Sequence, residues 1–221
     1  MLCHGFPAGA AGASGVARSF PELADRIARE VGWVVLAVNL RGTGTSTGNF
    51  SLGGWLTDLH ATANHLTTVE RVRGVCLAGF GTGGALSICA GAARPEVAGV
   101  AALAAPADFD DWARHPRRLL EHAREVGAIR DRSFPTSLEG WSRELRAIRP
   151  VAMVRNLAPR PLLVVHGSDD QVVPHFDARV VSDAHGSADL RIIAGAGHEL
   201  RHDPRAVAVL LGWLDRRQPR P

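Results

Sequence analysis

Lysine and tyrosine are absent from this chain of 221 residues, and all 25 of its basic residues are arginine. Cysteine is scarce. Cys3, Cys76 and Cys89 are too few for a disulfide framework and lack metal-ligand spacing, so no metal is expected and a reducing cytoplasm is the expected compartment. No apolar run approaches the roughly 20 residues that a membrane span needs. Glycine and proline follow Met1 within the first seven residues, with no basic start and no long apolar stretch, so no signal peptide is expected. The formal net charge is only +3, and nothing has the pattern of a nucleic-acid module. The arginines crowd into residues 114–160, eleven against five acids, which reads as a solvated helical surface. What remains is 46% apolar and 21% charged, enough to bury a sizeable core in one domain.

Apolar runs of strand length alternate with helical spacing. Phe20, Leu23, Ala24, Ile27, Ala28 and Val31 predict a helix, with Ser19 as its cap and Pro21 in its first turn. Trp33–Leu40 (WVVLAVNL) predicts a strand. Trp55, Leu56, Leu59, Ala63 and Leu66 mark a second helix. Val75–Ala78 predicts a strand, GFGTGG at 79–84 a turn, and the following residues a helix through Ala93. Further strands are expected at Val97–Ala104, Pro161–His166 and Leu190–Ile193. A last helix starts at Asp203-Pro204, a cap followed by proline at the first helical position, and runs to about Arg217. Such alternation implies a mostly parallel sheet covered on both faces. Residues 107–158 break the rhythm and read as two or three helices inserted between strands.

Ligands of open α/β sheets bind at the carboxyl ends of the strands, so the residues just after each strand matter. They are His4-Gly5-Phe6-Pro7, Arg41-Gly42-Thr43-Gly44, the glycine-rich turn, Asp108, His166-Gly167-Ser168-Asp169-Asp170, and Gly195-Ala196-Gly197-His198. In this order the set resembles the α/β-hydrolase superfamily of esterases, lipases and peptidases, over nearly the whole chain. HGFP is similar to its oxyanion loop, RGTGTSTG to its RG-x-G-x-S-x-G loop, GSDDQVVP to its acid turn, and GAGH to its histidine loop. The resemblance implies an α/β-hydrolase fold with a helical lid at 107–158, roofed by Trp112, Leu119, Leu120, Phe134 and Trp141. It places the acid at Asp170, with Asp169 as the fallback, and the base at His198. It assigns the oxyanion donors to the backbone N–H groups of Phe6 and Thr82.

The same match exposes a gap. The family's nucleophile elbow is G-x-S-x-G, and here it reads Gly79-Phe80-Gly81-Thr82-Gly83. Glycine at 81 tolerates the strained backbone of the elbow but offers no attacking atom. Thr82, Ser87, Cys89 and Cys76 are expected to be structural rather than substitutes. The expected activity is therefore weak or water-mediated hydrolysis of a small ester- or amide-like molecule, with no cofactor. The alternative is a non-catalytic descendant that binds a ligand or a partner.

Two other motifs share these letters. Gly79, Gly81 and Gly84 also spell the G-x-G-x-x-G of dinucleotide-binding proteins, with Asp108 as a late candidate for the ribose. His198-Glu199-Leu200-Arg201-His202 fits the H-E-x-x-H of zinc peptidases, which require it within a long helix. The resemblance also begins close to Met1, without the one or two strands that usually come first. Trp33–Leu40 would then be an edge strand, which predicts either a homodimer through that edge or a true protein start upstream of Met1.

Overall fold

The computed structural model describes all residues except 10, 17, 19, 70, 71, 73 and 219–221. Six strands form one sheet in the order β2-β1-β3-β4-β5-β6, with every neighbouring pair parallel. The strands are β1 (Leu2–Cys3), β2 (Ala37–Val38), β3 (Val75–Phe80), β4 (Val97–Leu103), β5 (Leu162–Gly167) and β6 (Asp189–Ile193). The three central strands are almost wholly buried because both faces are covered.

The period-two alternation of the strands sorts their side chains between two cores. Cys76, Ala78, Phe80, Leu163 and Val165 meet Phe20, Leu23 and Ile27 of α2 (Phe20–Val31) and Leu210 and Trp213 of α10 (Pro204–Asp215). Val75, Leu77, Leu162 and Val164 meet the opposite layer. That layer holds α3 (Leu52–Thr68), α4 (Thr82–Ala93) and α9 (His175–His185). Helix α4 is buried from Thr82 to Gly91, which explains its apolar, unstriped sequence. Asp203 caps α10 by accepting the N–H groups of Arg205 and Ala206, as its Asp-Pro start implies. The expected cap Ser19 lies outside the described residues.

One expectation needs correction, and one helix was not anticipated. Trp33–Leu40 forms a strand only at Ala37–Val38, because its neighbour β1 offers just two partners, Leu2 for Ala37 and Cys3 for Val38. It does lie at the sheet edge, where Val34 is 70% exposed. Helix α9 had no sequence expectation. It buries only Ala178, Val181 and His185, so its apolar stripe is sparse, and Gly186 closes it in the left-handed conformation.

Residues 107–158 carry the short helices α5 (Asp110–Arg114), α6 (Pro116–Glu125), α7 (Leu138–Ala147) and α8 (Pro150–Met153). A one-turn helix α1 (Gly12–Gly15) precedes them in the chain. Arg149 and Arg160 of the arginine-rich stretch 114–160 are tied into the structure rather than simply solvated. Arg149 pairs with Asp108 and Asp110, and Arg160 donates to the carbonyls of Gly91, Arg94 and Val97.

Candidate active site

The turn between β3 and α4 is sharp. Gly81 sits at its crest with φ 51° and ψ −126°, a conformation that costs a residue with a side chain about 1–3 kcal/mol. The flanking glycines answer to packing. A Cβ at Gly79 would lie 2.3 Å from the carbonyl oxygen of Gly83, and one at Gly83 would lie 2.2 Å from that of His4. At both positions the chain's own backbone occupies the space a side chain would take, which accounts for glycine there.

Position 81 faces the histidine loop. A Cβ there would stand 3.3 Å from Nε2 of His198 and 3.7 Å from Cα of Gly5. The other ring nitrogen of His198, Nδ1, lies 2.8 Å from Oδ2 of Asp170. That carboxylate is fully buried, while the imidazole keeps about a quarter of its surface. Oδ1 of Asp170 accepts the N–H groups of Val172 at 2.8 Å and Val173 at 2.9 Å. Burial alone would raise the Asp170 carboxyl. Hydrogen bonds from His166, His198 and the two valine N–H groups reverse this and hold it well below the usual carboxylate range. Asp169, the fallback acid, is exposed and accepts from Ser168 instead.

The HGFP and RGTG loops are locked together from below. His4, fully buried, accepts the N–H of Leu40 at Nε2 and approaches Thr43 Oγ1 at 3.0 Å, while Nδ1 donates to the carbonyl of Gly5. Burial pushes its pKa down to about 4. Arg41 grips Asp58 through Nε and a terminal nitrogen, and Trp55 donates to the Arg41 carbonyl. Thr82 opens α4, so its N–H has no partner within the helix.

A cavity of about 640 Å³ lies over this turn. Phe6, Gly81, Thr82 and His198 line it together, and Trp112, Phe109 and Leu119 of the 107–158 segment form part of its wall. Phe6 and Trp112 meet edge to face at 5.2 Å. Phe134 and Trp141 do not line it. Trp141 is buried in the core, where α7 sets its ring against Phe50, and Phe134, in the loop before α7, packs half-buried against the same cluster. Sequence reasoning also missed Asp177, His122 and Arg201 in the lining, as well as His166 behind Asp170. For His166 the available signal was a histidine at the buried end of a strand, four residues before the acid.

Among the described residues, Thr82 is the one hydroxyl-bearing residue that lines the cavity. Ser87 Oγ donates to the Gly83 carbonyl inside α4. All three cysteines are buried, and burial raises their thiols, that of Cys89 to about 12. The His198–His202 motif includes only a single 3-10 turn, Leu200–His202, and His198 is committed to Asp170. No group of three or more metal-ligating side chains gathers among the described residues.

A model of the alpha/beta hydrolase family matches residues 1–210. The chain belongs to the alpha/beta hydrolase family. Solved structures agree on the fold. Est1E from Butyrivibrio proteoclasticus, with ferulic acid bound, superposes with a TM-score of 0.74 at 22% identity, covering 97% of this chain and 85% of that one. An esterase from Pyrococcus furiosus gives a TM-score of 0.68 at 17% identity over 97% and 80%. A variant of the meta-cleavage product hydrolase from Pseudomonas fluorescens IP01 gives 0.67 at 18% over 97% and 89%. No curated protein sequence matches the chain significantly. Among the described residues, no helix of this hydrolase-family chain is long and apolar enough to cross a membrane.

Proposed function

We propose that this protein is a hydrolase-family member whose His198–Asp170 pair acts directly on water at a bound ester- or amide-like ligand, without an acyl-enzyme. The observation that carries this is the 3.3 Å approach of a residue-81 Cβ to His198 Nε2, at a position that here has no side chain. A water held there gives its proton to Nε2 as its oxygen bonds to the carbonyl carbon. Asp170 holds Nδ1–H and balances the imidazolium. The N–H groups of Phe6 and Thr82 receive the developing oxyanion. The leaving group then departs with the proton from Nε2. The 107–158 segment acts as a lid, with Trp112 and Leu119 over the ligand.

The expected rate is low. Removing the nucleophile from a serine-hydrolase triad costs about a millionfold in kcat and leaves roughly 10³–10⁴ over water. The lack of a side chain at residue 81 also favours a second reading, a pocket that only binds its ligand. Hydrolysis of 4-nitrophenyl acetate separates the two. Slow turnover without a burst, abolished by His198→Ala, supports water activation. A rate unchanged by His198→Ala leaves the binding reading. A stoichiometric burst from the native protein overturns both.

A further inference from the structure

We propose that His166 is a positioning residue for the His198–Asp170 pair, setting its Nε2–H edge against the same carboxylate oxygen that receives His198. The Asp170 and His166 side chains are both fully buried, and Nε2 of His166 lies 3.1 Å from Oδ2 of Asp170. The same nitrogen lies 3.0 Å from the carbonyl oxygen of Val173. Both neighbours are acceptors, so Nε2 carries the hydrogen, shared between a hydrogen bond to Val173 and the carboxylate edge. Nδ1 of His166 is buried with no hydrogen-bond partner among the described residues. A ring kept only to fill space would be replaced without loss by an apolar side chain that strands no polar atom. The stranded Nδ1 therefore points to the opposite edge as the useful one.

The arrangement fixes the rotation of the carboxylate. Backbone N–H groups of Val172 and Val173 hold Oδ1, while Oδ2 stands between two imidazoles, one from the end of β5 and one from the histidine loop. With Oδ2 fixed, the His198 ring has one orientation, and its Nε2 stays aimed at residue 81. Asp177 of α9 also lies close by, and its carboxyl is raised first by burial, against the pull of the Ala107 N–H, then further by Asp108, with His166 lowering it and Asp170 adding the smallest push upward.

This role rests on the reading of His198 as a base only where turnover is measured, so the first test avoids turnover. Imidazole ¹⁵N–¹H spectra of the intact protein should show His166 in the Nε2–H form, its proton protected from exchange and coupled to the Asp170 carboxyl carbon. An Nδ1–H form, or coupling to the Val173 carbonyl alone, overturns the proposal. In His166→Phe, the pH at which the Asp170 carboxyl carbon begins to titrate should rise by about one to two units, and His166→Gln, which keeps a donor, should restore it. With 4-nitrophenyl acetate, His166→Phe should lower kcat about tenfold at unchanged KM, again with rescue by glutamine. A folded His166→Phe protein with wild-type Asp170 titration overturns the proposal. If the native protein hydrolyses nothing, water activation fails, and the spectra still decide the role of His166.

Discussion

The two halves of the candidate site differ in what they have kept. The β3–α4 turn keeps its backbone, with Gly81 in the strained crest conformation and neighbouring glycines wedged against the chain, but it has no attacking atom. The acid and histidine loops keep their side chains and a full set of hydrogen bonds, with both Asp170 oxygens occupied. A sharp glycine turn and the imidazole of a hydrogen-bonded Asp170–His198 pair thus stand side by side in one cavity. The lesson is that the turn's geometry is set by close backbone packing, and that of the acid and histidine loops by buried polar contacts.

The strongest way to break this comparison is to return the missing hydroxyl. Gly81→Ser should raise acetyl-ester turnover by up to about a millionfold and introduce a burst of one equivalent, visible by stopped flow. It should also cost about 1–3 kcal/mol of stability, read by urea denaturation, because serine must adopt the positive φ. A variant that gains turnover without any loss of stability would show that the crest is not strained. Asp170→Asn probes the other half. The slow native hydrolysis should fall by about 10²–10⁴, since the ring loses both its orientation and its balancing charge. Undiminished turnover in that variant would detach Asp170 from the chemistry.

Smaller effects sharpen the picture. A Cβ at Gly167 would lie 2.1 Å from the carbonyl oxygen of Ala196, where the acid turn meets the histidine loop. Gly167→Ala should cost about 3 kcal/mol and disorder both loops, measurable as a drop in melting temperature. An unchanged melting temperature would mean that the two loops are not packed as closely as described. His4 supplies a pH dependence. Its folded pKa, about 4, lies below the ordinary 6.5, so the unfolded chain binds the extra proton between these values. Stability is complete above about pH 6.5 and falls as pH drops toward 4, by up to about 3 kcal/mol. His60 and His185 are also lowered, first by burial, and act in the same direction. Urea midpoints at pH 7.5 and 5 should differ, and His4→Gln should flatten the difference. Equal midpoints for the wild type would contradict the buried, uncharged state of His4.

Much of this was legible in the chain because particular residues carry local rules. Asp203-Pro204 announces a helix start, and the central strands announce themselves as short continuous apolar runs. Asp170, His198 and Gly81 stood at strand ends in the expected order, and the structure brings them together. Long-range effects were not legible. Trp33–Leu40 has the composition of a full strand, yet its pairing is limited by a neighbour only two residues long. Helix α9 buries three small or polar-edged residues and so shows almost no stripe. Trp141 and Phe134 are the large aromatics expected of a lid, but where an aromatic packs depends on how its segment docks: α7 turns Trp141 inward, and Phe134, in the loop before that helix, packs against the same core. His166 was visible as a letter, but its role depends on a 3.1 Å approach that no spacing rule states.

The most direct measurement is intact-mass analysis after treatment with a fluorophosphonate probe, followed by peptide mapping. The account predicts no adduct on the native protein and a single adduct at position 81 in Gly81→Ser. A labelled native protein, or a folded Gly81→Ser variant that resists the probe, would contradict the placement of residue 81 opposite His198 as the seat of the missing nucleophile.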